Sequence, residues 1–209
     1  MDSTFAKWRD DELVWLPARG MGYLRVTEQP YDGDYFRKYQ QYALTPLGRQ
    51  LTRLRVQLVH RYLSGHAPVL DVGIGSGSFV AQRGRSTFGY DIMPAAVDWL
   101  KTQGLYRTPA DGPFAAVTCW DALEHIPDPA PVLAAARHFV FVSLPIVPGD
   151  GPPSPTWRHV RKDEHCWYWT RDGLIGWMRE HGFGCVEHGT PESLAGREDI
   201  GTFVFRRES

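Results

Sequence analysis

Residues 70–77 read Leu70-Asp71-Val72-Gly73-Ile74-Gly75-Ser76-Gly77. An apolar run ends in an acid and passes into glycines at alternate positions. Glycine has no Cβ and tolerates positive φ, so such a backbone turns sharply and lets a ligand lie against it. The residues that follow, Ser78-Phe79-Val80-Ala81-Gln82, start a helix. The first N–H groups of a helix have no intrahelical partner and point back at the turn. The stretch reads as strand, glycine turn and helix, with a cofactor or nucleotide against the turn. A tight turn without a ligand is the alternative.

Spacing narrows the ligand. The dinucleotide fingerprint is G-x-G-x-x-G. Counted from Gly73, its third glycine falls on Ser78; counted from Gly75, it falls on Val80. A phosphate loop needs Lys-Ser or Lys-Thr after the glycines, and neither follows. Downstream, Ser86 to Ile92 is a short strand candidate that ends in Asp91. An acid about 20 residues into a βαβ unit is where one carboxylate accepts from both hydroxyls of a ribose.

The pattern Asp71-x-Gly73-x-Gly75-x-Gly77 resembles motif I of the class I S-adenosylmethionine-dependent methyltransferases. Phe114 to Pro129, with the turn Leu123-Glu124-His125-Ile126, resembles the fourth strand and following loop of the small-molecule branch of that family. His138 to Ile146 resembles its fifth strand. The likeness runs over residues 45–206. It implies a Rossmann-like α/β fold, a seven-stranded, mostly parallel sheet flanked by helices with the last strand antiparallel. It implies S-adenosylmethionine as cofactor and S-adenosylhomocysteine as product. It also implies Asp71, Gly73, Gly75 and Gly77 beneath the methionine part, Asp91 at the ribose hydroxyls, and Ile92 beside the adenine. Trp120 and Asp121 fall near the sulfonium. For Ile92 the alternative is core packing, and for Trp120 a buried core position.

A chain of 209 residues fits one domain with a sizeable core. The net charge of −1 gives no general attraction to nucleic acid or anionic membrane. No window holds the roughly 18 apolar residues that span a bilayer. The charged N-terminus, Met1 to Glu12, lacks an apolar signal core. Cys119, Cys166 and Cys185 are scattered, with no C-x-x-C, as expected of free thiols in a reducing cytoplasm.

Residues 1–44, rich in Tyr and Gly, read as an irregular N-terminal cap with a short strand near 23–26; residues 45–209 read as the single globular unit. Tyr31, Tyr35, Tyr39 and Tyr42 suit either a helical stripe closing over the cofactor or core packing. Thr45-Pro46 starts a helix, with Leu47, Leu51, Leu54, Leu58 and Tyr62 on one face and Gly65 ending it. From residue 67 strands and helices alternate, as in a parallel sheet covered on both faces. Strands are expected at 67–72, 86–91, 105–107, 115–120 and 138–145, and helices at 77–83, 94–103 and 129–136. Prolines between 148 and 155 mark a loop. Thr170 to His181 is a helix ended by Gly182, and strands at 183–188 and 202–206 close the domain.

Methyl transfer from a sulfonium is an in-line displacement in which the protein chiefly aligns the acceptor. A hydroxyl acceptor also needs a base. His125, in the Leu-Glu-His-Ile turn, is one candidate base and His165 the other; each is otherwise a loop residue bonded to nearby backbone. His159 to Trp169 passes from polar to aromatic and suits an acceptor pocket. His159, His165 and Cys166 lack the usual zinc spacing, so no metal is expected. The expected acceptor is a small molecule. Nucleic acid is disfavoured, because Trp120-Asp121-Ala122-Leu123 stands where exocyclic-amine DNA enzymes carry Asp/Asn-Pro-Pro-Tyr/Phe, and no Pro-Cys occurs. A non-catalytic binder of the same cofactor is the third reading.

Overall fold

The computed structural model describes residues 13–24 and 33–208. The chain begins with two short strands, β1 (Val14–Leu16) and β2 (Met21–Tyr23), and two helices, α1 (Gly33–Ala43) and α2 (Pro46–Tyr62). Alternating elements follow: β3 (Val69–Val72), α3 (Ser78–Arg83), β4 (Thr87–Tyr90), α4 (Pro94–Thr102) and β5 (Phe114–Trp120). The last third holds α5 (Ala130–Ala134), β6 (Ala136–Pro145), β7 (Trp167–Trp169), α6 (Arg171–Glu180), β8 (Phe183–Gly189), α7 (Pro191–Leu194) and β9 (Ile200–Arg207).

The main sheet has the order β4-β3-β5-β6-β9-β8. β4, β3, β5 and β6 are parallel. β9 runs against both of its neighbours, so β8 shares the parallel direction and β9 alone opposes it. The mostly parallel sheet with its final strand reversed is the expected architecture. The seventh strand, expected at 105–107, is reduced to one parallel bridge between Gly89 and Tyr106. The helix from Thr45 forms as its sequence demands: Thr45 Oγ1 accepts from Gly48 N–H at 3.0 Å, and Pro46 opens the first turn. It ends at Tyr62, short of Gly65, because Leu63 turns extended and packs against the core.

Each strand sends alternate residues to opposite faces. Val69, Ala116, Trp120, Phe141 and Val204 meet α2 and α3. Leu70, Val72, Val117, Val140 and Val142 meet α5, α6 and the second sheet. That second sheet is antiparallel, in the order β1-β2-β7. Within His159–Trp169, the stretch expected to suit an acceptor pocket, residues 167–169 form a strand. Its aromatic side chains favour a pleated surface, and β2 supplies the partner, pairing Met21 with Trp169 and Tyr23 with Trp167. Three residues are too few to show a period, which is why the sequence pattern hid it. Where α6 begins, a Cβ on Gly173 would stand 2.0 Å from the Gly20 carbonyl, so only glycine lets the two segments touch there.

The short strand expected near 23–26 lies at Met21–Tyr23, and residues 25 and 26 lie outside the described residues. The tyrosine stripe falls on α1, with Tyr31 and the side chain of Tyr35 outside the described residues. No helix among the described residues is long and apolar enough to cross a membrane.

Candidate functional site

Strand order reverses at β3. The chain leaves β3 for β4 on one side and then crosses to β5 on the other. Open parallel sheets bind ligands at the carboxyl ends of such neighbouring strands, where the connections diverge and leave a crevice. The glycine turn stands there. Gly73, Gly75 and Gly77 have φ of +71°, +54° and +76°, values that disfavour side chains. A Cβ on Gly73 would meet Ala122, beyond β5, at 2.7 Å, so the two strand ends nearly touch. Above Gly75 the nearest atom to such a Cβ is Tyr39 Cδ1 of α1, at 3.5 Å.

Asp91 follows β4 beside this turn. Its Oδ2 accepts from Ile74 N–H and its Oδ1 from Met93 N–H, both at 2.9 Å. These bonds fix the carboxylate against the glycine loop and leave each oxygen a further lone pair. Burial raises its pKa above the ordinary value, outweighing the backbone bonds. Ile92 is 60% exposed and so is not packed in the core. Asp71 is buried under the turn and accepts from Thr118 Oγ1 at 2.6 Å, across the register that pairs the two residues. Burial pushes its carboxyl up to about 8, against the Thr118 bond and the Arg55 charge, with Asp91 adding to the rise.

The raised Asp71 value fixes the sign of a pH effect. The folded state holds a proton that the unfolded state releases near pH ~4, so stability falls as pH rises from there through 8. Asp71→Asn, which cannot ionise, should show a flatter decline in urea midpoint between pH 5.5 and 8 than the parent. An equal decline in both proteins would mean that Asp71 is already ionised in the fold.

Trp120 and Asp121, expected near the sulfonium, are both engaged by arginines of the fold. Trp120 is buried against Phe79 of α3, ring centroids 5.4 Å apart, and the cation over its face is the Arg55 guanidinium at 5.3 Å. Asp121, at φ +54°, gives both carboxylate oxygens to arginines. Arg197 bonds them at 2.7 and 2.8 Å and Arg55 reaches Oδ2 at 2.9 Å. Glu192 of α7 closes the ring, accepting from Arg55 at 2.7 and 2.9 Å and from Arg197. Burial alone would raise Asp121, but the two guanidiniums hold it below the usual carboxylate range. Arg55 was legible in part: it lies four residues after Leu51 and three before Leu58, on the apolar face of α2. Its partners on α7 and at Arg197 carried no such signal.

On the other side of Ala122, the tight turn Leu123–His125 hangs off the end of β5. The chain before β7 clamps onto it. Cys166 N–H donates to Glu124 O at 2.7 Å, and Trp167 Nε1 to Ile126 O at 2.9 Å. The clamp brings His125 and His165, forty positions apart, to a ring-centroid distance of 4.6 Å, nearly perpendicular at 88°. His125 Nδ1 lies 3.0 Å from the Glu164 carbonyl. Burial lowers both imidazoles, His165 to about 2 with help from the neighbouring His125 and Arg161 charges, so His165 is neutral in the fold. His159 instead meets the Glu198 carbonyl at 3.0 Å, and Cys166 Sγ points to the His125 carbonyl at 3.5 Å.

A family model described as a methyltransferase domain matches residues 36–188. Ubiquinone biosynthesis O-methyltransferase of Xylella fastidiosa is 32% identical over 117 residues, covering 47% of this chain and 45% of the relative. The enzyme of that name from Pseudomonas aeruginosa is 37% identical over 90 residues, covering 34% and 39%. The alignments thus span less than half the length of these curated relatives. Magnesium protoporphyrin IX methyltransferase from Synechocystis, solved with bound S-adenosylmethionine, superposes with TM-score 0.57 at 16% identity, covering 84% of this chain and 90% of that one. Burkholderia thailandensis 1,6-didemethyltoxoflavin-N1-methyltransferase superposes with TM-score 0.54 at 17% identity, covering 95% and 100%. At such identities the superpositions speak for the fold.

Proposed function

The chain belongs to the methyltransferase-domain family, the class I S-adenosylmethionine-dependent methyltransferases, and from that premise we propose that it moves a methyl group from S-adenosylmethionine to a hydroxyl of a small molecule. The observation that carries the reading is the juxtaposition at the switch point: a glycine turn, an anchored acid at Asp91, and a histidine pair, His165 buried and His125 half-buried, on the far side of Ala122. The residues suit the cofactor. The glycine turn offers backbone without side chains, and Asp91 offers two fixed acceptor oxygens with lone pairs to spare.

The roles divide along the crevice. Asp91 holds the ribose hydroxyls, Ile92 covers the adenine, and Gly73, Gly75 and Gly77 lie along the methionine part above Asp71. The cofactor supplies a methyl carbon already activated by its positive sulfur. What the chain contributes is alignment and exclusion of water, with up to ~7–11 kcal/mol of the barrier available from orientation. A hydroxyl acceptor must also lose its proton, and we assign that step to His125 and His165, which the 123–125 turn and the segment before β7 bring together. The names of the curated relatives, O-methyltransferases of ubiquinone biosynthesis, favour an oxygen acceptor of modest size.

Calorimetric titration with S-adenosylmethionine and S-adenosylhomocysteine, with NADH in parallel, tests the cofactor. Binding of the first two and not the third is expected. A screen of phenols, catechols and alcohols with labelled methyl then tests the acceptor. His125→Ala and His165→Ala should bind the cofactor as the parent does while at least one loses turnover. Normal turnover by both would remove the histidine pair from the mechanism.

A further inference from the structure

We infer that Glu124, His125 and His165 form a binding site for one divalent transition-metal ion, set beside the acceptor side of the crevice. The strongest sign is Glu124. It is 2% exposed, no side chain among the described residues donates to either carboxyl oxygen, and only its own backbone N–H bears on them. A carboxyl buried with so few donors is costly, and a bound cation is one way to offset that cost. The nearest ring nitrogen is His125 Nε2, 3.9 Å from Glu124 Oε1. Ligating atoms of Glu124, His125 and His165 all lie within 4.8 Å of one another.

The surroundings orient these groups as ligands. The Glu164 carbonyl at 3.0 Å accepts from His125 Nδ1–H, which assigns the lone pair to Nε2, the atom nearest Glu124. The rings of His125 and His165 meet edge to face, with a ligating nitrogen of each within 4.8 Å of the other and of a Glu124 oxygen. The charges nearest the cluster are themselves paired: Arg161, which faces all three groups, binds Glu164 at 2.9 Å, and Asp121, which also faces them, is held by Arg55 and Arg197. Ligand bonds of about 2.0–2.2 Å would draw the three atoms somewhat closer together, well within side-chain motion. Two imidazoles and one carboxylate favour zinc, manganese, iron or cobalt over magnesium or calcium. Three protein ligands leave open positions, the arrangement of a reactive rather than a structural ion. His125, with its side chain 15% exposed, marks the way in.

The spacing of the sequence concealed this set, because His165 arrives from a separate segment clamped by the Cys166–Glu124 backbone bond. Its place beside the acceptor rests on the methyl-transfer reading; the metal site itself does not. With that reading, the two histidines act on the acceptor through the ion and not as bases themselves: the ion would lower the pKa of an acceptor hydroxyl, whose proton passes to water. The hydroxyl oxygen then forms the new bond to the methyl carbon, and the electron pair of the broken carbon–sulfur bond stays on sulfur.

The test is titration of the chelator-stripped full chain with zinc chloride by calorimetry, and with cobalt chloride by visible absorption. One-to-one zinc binding is expected, weakened at least tenfold in both Glu124→Gln and His165→Ala. His159→Ala, outside the cluster, should bind as the parent does. Absence of saturable binding overturns the site, as does binding undiminished in His165→Ala. Thermal unfolding of each metal-free variant confirms that it folds. Since the metal titrations need neither cofactor nor acceptor, failure of the methyl-transfer reading leaves their result intact.

Discussion

Glu192→Ala should cost about 3 kcal/mol of stability, the order seen when one partner of a buried ion pair is removed. Glu192 is 1% exposed and accepts from both Arg55 and Arg197. Without it, two guanidiniums whose side chains are 17% and 22% exposed face each other across Asp121 alone. Neither side chain can swing fully into water, because Arg55 is stacked on Trp120 and both are tied to Asp121. For a chain of this size, each kcal/mol moves the melting temperature by about 2–4 °C, so a drop near 10 °C is expected. Urea and thermal unfolding of parent and variant at pH 7 measure it. A loss below about 1 kcal/mol would place the ring in the class of solvent-screened surface pairs.

Asp91→Ala should weaken S-adenosylmethionine binding at least tenfold, or ~1.4 kcal/mol. The carboxylate is held by Ile74 and Met93 before any ligand arrives, so little ordering remains to oppose binding. Hydrogen bonds to a charged acceptor contribute about 1.5–3 kcal/mol each, which allows a larger loss. Asp91→Asn keeps one carbonyl oxygen and should fall between parent and alanine variant. Thermal unfolding without ligand separates loss of the loop from loss of the contact. Parent-like affinity in a folded Asp91→Ala protein would remove this residue from the ribose.

The glycine-turn side of the crevice was readable because it is local. The strand, glycine turn and helix of 69–83 lie within one short segment, and Asp91 follows by one crossover, so backbone demands appear directly as residue types. Thr45-Pro46 and Thr170 announced helix starts for the same reason. The acceptor side was not readable in that way. Glu124 and His165 meet only because β7 pairs with β2 and pulls the preceding residues onto the 123–125 turn. Asp121 could not be known as an ion-pair residue, since Arg55 and Arg197 approach it from separate elements. Trp120 offered a cation–π partner to either a ligand or an arginine, and spacing along the chain does not choose between them.

The three-stranded sheet carries a consequence for the order of assembly. The pairing of Tyr23 with Trp167 closes a loop of about 140 residues, and bringing such distant ends together costs about 4 kcal/mol of chain entropy before any contact offsets it. The β3–α3–β4–α4–β5 units close far shorter loops. Contacts of low sequence separation form first, and long-range pairing waits for them. The glycine-turn half therefore takes shape while the acceptor half is still open chain. The pairing of β2 with β7, and with it the meeting of His125 and His165, is a late event in folding.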